Sequence, residues 1–233
     1  MLPHLLRICN ANAVASGIPA VENRLLGGLR DGAPRPFSVL VVCSANICRS
    51  PYAEQVLRRW ARLSGEEDTV TLASAGVSAL PGQPMCREAA LHLELDPSRH
   101  ASRELTPAVL DAADLIVTAD RSHRGAAARM LPSCRSRLFT LRQAGKLGMT
   151  LALRIVDGDL PDGAPPFPTR ADERLRWLVG EFDAARGQLA GSPEAEADIE
   201  DRHGPAPHDD TFAQVAAAIA NLTAAFDATL GRP

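Results

Sequence analysis

Residues 43–51 read CSANICRSP, a cysteine and an arginine separated by five residues and followed by serine and proline. A short loop that winds into a helix amino terminus aims successive backbone N–H groups at one point. It adds the positive end of the helix dipole, and the resulting cradle suits a phosphate. Ser44, Ala45, Asn46, Ile47 and Cys48 are the residues that would line it, and Arg49 can fork its guanidinium onto two phosphoryl oxygens. The same dipoles and the Arg49 charge favour thiolate over thiol, so Cys43 is expected to be a nucleophile beneath the bound phosphoryl group. The Ser50 hydroxyl can donate to that thiolate, and Pro51 suits a first helical turn, where its missing N–H costs nothing.

A strand-end cysteine is ordinarily a small buried apolar residue. The spacing C-x5-R-S-P between a strand and a helix sets Cys43 apart from that reading, which stands for Cys9, Cys86 and Cys134. Cys48 has two open readings: an inert packing residue, or a resolving thiol that captures oxidised Cys43 as a disulfide.

Positioning such a loop requires a strand before it and a helix after it. FSVLVVC (37–43) is a continuous, valine-rich apolar run, the pattern of a strand buried on both faces of a parallel sheet. In the stretch that follows Arg49, Ala53, Val56, Leu57, Trp60 and Leu63 share one helical face, and Ser64-Gly65 ends it. TVTLASAG (69–76) completes a βαβ unit. Further strands are expected at 114–120 and 137–141, with helices near 84–95 and 121–131. Alternation of this kind predicts an α/β fold with a single doubly wound, mostly parallel four-stranded sheet and helices on both faces. The phosphate loop then lies at the carboxyl edge of the sheet, where open α/β folds bind ligands. Residues 1–36 end in DGAPRP and read as an amino-terminal extension and linker, so the main domain spans 37–233. Residues 142–197 read as a helical insertion: a Pro- and Gly-rich loop, then an amphipathic helix at ADERLRWLVGEFDAARGQLA. Phe212, Val215, Ile219, Leu222 and Phe226 form the apolar stripe of a terminal helix.

Composition narrows the function classes. The 233 residues, 45% hydrophobic, can bury one substantial core. With 25 Lys plus Arg against 28 Asp plus Glu, the net charge of −3 gives no nucleic-acid surface and no basic membrane tail. Five cysteines, in no paired CxxC cluster and without histidines at ligand spacing, argue against a disulfide framework and a structural metal, and no cofactor is expected. LLRICNANAVASG near the start imitates a signal peptide, but Arg7, Asn10 and Asn12 interrupt it. No run approaches the ~18 uninterrupted apolar residues of a membrane span. The expectation is a soluble protein of the reducing cytoplasm; nothing sets its oligomeric state.

VLVVCSANICRSPYAE (39–54) resembles the signature loop of the low-molecular-weight protein tyrosine phosphatases. ASAGV (73–77), PSRHASREL (97–105) and ADLIVTADRSH (113–123) resemble later segments of that family in order, and the likeness covers about 37–141 and 198–230. The resemblance implies a tyrosine-phosphorylated protein substrate and a phosphocysteine mechanism: thiolate attack, protonation of the leaving phenolate by an aspartic acid, and hydrolysis of the intermediate. It also implies that Asn46, Ser50, Ser74 and His100 form a hydrogen-bonded set supporting the loop. DIEDRHG (198–204) matches the family's acid segment best with Asp201 as the acid, Arg202 replacing a proline and His203 an aromatic. Asp198 is an alternative that could orient the loop, while Asp209 and Asp210 fit the start of the terminal helix, where carboxylates are favoured. The chain departs from the family at Ala45, where glycine is common, at Leu80, where many members carry an aromatic, and at EDRHG (200–204).

Three rivals use the same loop. An arsenate reductase needs further cysteines to relay a disulfide, and Cys86 and Cys134 are far apart along the chain. A protein-arginine phosphatase tends to carry threonine at the position of Ile47, whose aliphatic bulk instead favours a flat aromatic ring. A catalytically silent phosphate-binding module draws support from the departure at EDRHG (200–204), but with Cys43, Arg49 and Ser50 all present it would be an odd use of a reactive thiol.

Overall fold

The computed structural model describes residues 35–159, 168–189, 198–201 and 208–231. Residues 1–34 of the expected extension, residues 160–167 of the Pro-rich loop, and Arg202 and His203 lie outside the described residues.

Four parallel strands, β1 (Phe37–Cys43), β2 (Val70–Gly76), β3 (Leu115–Thr118) and β4 (Leu138–Thr140), form one sheet in the order β2-β1-β3-β4. Along β1 the side chains alternate between two cores. Phe37, Val39 and Val41 join one, Leu40 and Val42 the other, and all are buried. That two-sided burial is why a strand with no polar alternation is stable here. Helices α1 (Arg49–Ser64), α2 (Arg87–His92), α3 (Pro107–Asp111), α4 (Arg121–Met130), α5 (Leu141–Val156), α6 (Ala171–Ala185) and α7 (Asp209–Leu230) complete the described elements, with short 3₁₀ turns at Pro97–Arg99, Pro132–Arg137 and Arg186–Leu189. Members of α1, α5, α6 and α7 share the larger core, and Leu110 of α3 and Ala127 of α4 the smaller one, so both faces of the sheet are covered. The chain leaves β1 for β2 on one side and returns to place β3 on the other. The crevice outside the carboxyl ends of β1 and β3 is therefore a topological switch point.

The expected strands at 69–76, 114–120 and 137–141 are each present and shorter by one to three residues. The helix expected at 84–95 shrinks to α2, whose amino end is set by the Cys86 sulfur accepting from the Ala89 N–H at 3.4 Å. Residues 142–156, expected to open the insertion, continue β4 directly into α5, capped by Thr140 Oγ1 accepting from the Gln143 N–H at 3.1 Å. The expected amphipathic helix is α6, with Leu175, Leu178, Val179 and Phe182 buried.

The terminal helix α7 carries the expected stripe, and Phe212, Val215, Ile219, Leu222 and Phe226 are all at or below 1% exposure. Tyr52 of α1 stacks on Phe212 with ring centroids 4.5 Å apart, tying the helix of the phosphate loop to α7. By length and composition α7 is also the one described helix apolar enough to cross a membrane, with a mean hydropathy of 1.2 over its best window. Its stripe, however, is spent on packing against α1, α5 and α6.

Helices α5 and α7 touch backbone to backbone because two glycines face the contact. A Cβ on Gly145 would lie 2.8 Å from the Ala218 carbonyl oxygen, and one on Gly148 2.9 Å from that of Asn221. Gly180 of α6, by contrast, has nothing within 4 Å of its Cβ position. Gly148→Ala should therefore lower stability by about 1–3 kcal/mol through overpacking, although alanine is intrinsically the better helix former by about 1 kcal/mol. Gly180→Ala, which gains only the propensity, should stabilise by up to ~1 kcal/mol. Urea unfolding of the two variants checks the opposite signs, and a stabilised Gly148→Ala protein would contradict the close helix contact.

Candidate active site

The loop from Ser44 to Cys48 joins β1 to α1 at the switch point. Gly76, at the end of β2, lets it pass: a Cβ there would lie 2.5 Å from the Ser44 carbonyl oxygen and 2.8 Å from the Asn46 nitrogen. Asn46 takes the left-handed conformation, with φ of 56°, which asparagine tolerates better than most residues. No backbone N–H from Ser44 to Ser50 finds an acceptor among the described residues, and Pro51 has none to offer. Cys48, at the helix cap, adds no side-chain bond to the amino end of α1. A run of donors without acceptors among the described residues is a ready site for an anion.

Below it a hydrogen-bonded chain supports the thiol. The Asn46 side-chain amide donates to Ser50 Oγ at 2.9 Å and Ser74 Oγ at 2.8 Å, and its oxygen accepts from the Arg103 N–H at 2.9 Å. Because Ser50 Oγ already accepts from Asn46, its own proton is directed to Cys43 Sγ at 3.0 Å, in preference to the Ala75 carbonyl at 3.5 Å. Ser74 donates to Glu54 Oε2 at 2.7 Å, and Glu54 in turn is held by Arg58 at 2.7 Å. His100 Nε2 donates to the Asn46 carbonyl at 2.7 Å, fixing the top of the turn. The structure thus brings together Cys43, Asn46, Ser50, Ser74 and His100.

Arg49 is 3% exposed, and both ends of its fork are engaged. Nη1 donates to the Ile199 carbonyl at 2.8 Å and reaches Asp120 at 3.3 Å; Nη2 donates to Asp201 Oδ2 at 2.7 Å and Ser44 Oγ at 3.3 Å. Asp201 and Arg49 are 152 positions apart in the chain. Asp198 is occupied elsewhere, accepting from the Arg121 N–H at 2.7 Å and from its guanidinium at 2.8 Å. Together with the Ile199 N–H, which donates to the Ala119 carbonyl at 2.9 Å, this docks residues 198–201 over the loop. Asp209 and Asp210 lie in the first turn of α7, and Asp209 pairs with His92 at 2.8 Å.

Residues singled out by no sequence argument also belong here. Asp120 caps α4 by accepting from the His123 N–H at 3.0 Å and faces Arg49. Burial opposes its ionisation, but the Ser122 hydroxyl, the His123 N–H and the nearby His123 and Arg49 hold its carboxyl below the usual range. His123 is buried between Asp120, 3.0 Å away, and Ser44 Oγ, at 2.8 Å. Burial pushes its pKa down, against the nearby Asp120, and its ring orients Ser44. The tell-tale was a capping Asp-x-x-His at a strand end. Cys86 is the other omission: its N–H donates to the Ile47 carbonyl at 2.8 Å, and its thiol neighbours that of Cys48. That contact and burial push the Cys48 thiol well above its ordinary pKa, while the Cys86 thiol is pulled down to about 7, chiefly by Cys48. Leu80 is largely exposed and Ile47 half-buried. No cluster of His, Cys, Asp or Glu among the described residues could hold a metal ion.

The family model for low molecular weight phosphotyrosine protein phosphatases matches residues 38–150. The low molecular weight protein-tyrosine-phosphatase Etp of Escherichia coli is 34% identical over 109 residues, 46% of this chain and 70% of that protein. Ptp of Acinetobacter johnsonii is 32% identical over 107 residues, 45% of this chain and 71% of that protein. Against Wzb of Salmonella typhi, 34% identical, the match spans 66% of that protein's length. The crystal structure of a low molecular weight protein tyrosine phosphatase from T. tengcongensis superposes with a TM-score of 0.52 at 22% identity, over 80% of this chain and 97% of that one, a likeness of fold. With these matches, the chain belongs to the low molecular weight phosphotyrosine protein phosphatase family.

Proposed function

We propose that the chain hydrolyses phosphotyrosine in proteins through a phosphocysteine formed at Cys43. One observation carries the reading: the loop from Ser44 to Ser50, whose backbone N–H groups have no acceptor among the described residues, starts at a thiol hydrogen-bonded to Ser50 at 3.0 Å. A phosphate monoester placed there has its oxygens met by these donors and by the Arg49 fork. The Cys43 thiolate attacks phosphorus as the bond to the phenolic oxygen breaks, and Asp201 delivers its proton to that oxygen. Water then attacks the phosphocysteine, Asp201 takes the proton back, and the thiolate leaves. Phosphate oxygens compete with Asp201 for Arg49 Nη2, so substrate binding itself frees the acid. Ile47 offers a branched apolar wall and no hydroxyl, which fits a flat aromatic ring, and the names of the relatives agree with phosphotyrosine. A free nucleophilic thiol fits a reducing compartment such as the cytoplasm.

The Cys48–Cys86 thiol contact favours one alternative, a thiol-dependent arsenate reductase. Thioredoxin-coupled reduction of arsenate separates it from hydrolysis of an aryl phosphate.

Cys43→Ser should abolish turnover and retain phosphate binding, because a serine hydroxyl is a far weaker nucleophile than a cysteine sulfur. Near-normal turnover by that variant would exclude the covalent route. Arg49→Lys should lose about 10²-fold or more in kcat/KM, since a point ammonium replaces two charge-assisted bonds of about 1.5–3 kcal/mol each. Asp201→Asn should slow phosphotyrosine hydrolysis by about 10²–10⁴-fold and affect esters of strongly acidic phenols far less. Equal losses across a leaving-group series would remove Asp201 as the acid. A normal Asp201→Asn enzyme beside a crippled Asp198→Asn one would move the role to Asp198.

A further inference from the structure

Among the described residues, four acceptors meet the N–H groups of the Arg49 guanidinium: Ile199 and Asp120 at Nη1, Asp201 and Ser44 at Nη2. Nε is buried and has no acceptor there, so it is the N–H left for a ligand. A phosphoryl group that grips the fork at two points, Nε and Nη2, must displace Asp201 from Nη2. Ser44 Oγ is then the only described acceptor still holding that nitrogen. It is held in turn by His123, whose Nε2 lies 2.8 Å from Ser44 Oγ. On the other side of the ring Nδ1 lies 3.0 Å from Asp120 Oδ2, a close approach that is not aligned for a hydrogen bond. Because Asp120 Oδ2 also meets Arg49 Nη1, the four residues Arg49, Asp120, His123 and Ser44 close a ring.

Helix α4 does not need this imidazole. The Asp120 cap is made by the backbone N–H of His123, which almost any residue at that position would supply. The core gains little from it either: the side chain is 3% exposed, and burying a polar ring costs stability unless its nitrogens are used. What those nitrogens reach is the pair of residues that brace the two terminal nitrogens of Arg49.

We propose that His123 is a positioning residue for the Arg49 fork: by holding Ser44 Oγ and flanking Asp120 it keeps both terminal nitrogens in place while a phosphoryl group displaces Asp201. Its role in ester turnover rests on the phosphatase reading above; its role in binding a phosphate anion does not. Ser44, between His123 and Arg49, carries the effect, so the imidazole needs no contact with the substrate.

Two amide replacements separate the nitrogens of His123. The carboxamide of asparagine reaches only the position of Nδ1 and loses Ser44, whereas that of glutamine reaches the position of Nε2 and keeps it. Calorimetric titration with inorganic phosphate should show affinity about tenfold lower in His123→Asn, the scale of one hydrogen bond to a charged group, and most of it restored in His123→Gln. Ser44→Ala breaks the same link without touching α4. It should lose the same factor, and adding His123→Asn to it should cost no more. Wild-type affinity in His123→Asn or in Ser44→Ala, a glutamine variant as weak as the asparagine one, or additive losses in the double variant would each overturn the proposal. Kinetics extend the test to turnover. His123→Asn should lower kcat/KM for a phosphotyrosine peptide about tenfold beside Arg49, and no further in an Arg49→Lys background, where no fork remains to be positioned. An equal factor in both backgrounds would mark a general structural role and overturn it. A chain that binds phosphate but turns over no ester would contradict the phosphatase reading instead, and the titrations would still decide the role of His123.

Discussion

A guanidinium buried to 3% exposure is the constraint around which the site is arranged. An isolated buried charge is expensive, so it must be surrounded by acceptors. Arg49 recruits them from three separate parts of the chain: Asp120 at the end of β3, the Ile199 carbonyl and Asp201 from the segment before α7, and Ser44 from its own loop. Satisfying one side chain therefore closes the site. It also poises it, because the charge that needs these partners is the charge that a phosphate dianion would claim.

The rest of the molecule serves to hold that arginine and the thiol in register. β1 is buried on both faces, so Cys43 emerges at a fixed height at the sheet edge. Gly76 and the left-handed Asn46 let the loop double back over β2. The chain of bonds from Arg58 through Glu54, Ser74, Asn46 and Ser50 ends on the Cys43 sulfur. Glu54 accepts from both Arg58 and Ser74, and the Asn46 amide donates to both Ser74 and Ser50, so the two serines are held as acceptors on one amide group. On the opposite side Tyr52 against Phe212 anchors α1 to α7, which places the segment carrying Asp201.

Much of this was legible in the sequence where local chemistry and period agree. The valine-rich run at 37–43 and the stripe from Phe212 to Phe226 each need only one kind of burial, and both elements have the expected bounds or nearly so. The C-x5-R-S-P spacing marks the cradle because its geometry is local. What escaped depends on contacts between distant residues. His123 and Asp120 look like an ordinary helix start until β3 brings them against Arg49 and Ser44. Cys86 is isolated in the chain, and only the fold of residues 77–86 across the loop sets its thiol against Cys48. The Ile199 carbonyl has no side-chain signature at all. The segment 97–112 has no long apolar period, so α3 and the turn at Pro97–Arg99, each built on a capping side chain and a proline, were not anticipated.

The central claim is a covalent bond between phosphorus and the Cys43 sulfur. Rapid acid quench of the enzyme turning over an aryl phosphate, followed by digestion and mass spectrometry, tests it directly. The account predicts one phosphoryl group on the peptide containing Cys43, accumulating to a steady level within the first turnover and absent from Cys43→Ser. Turnover with no phosphoryl group on Cys43, or with the label on another residue, would contradict it.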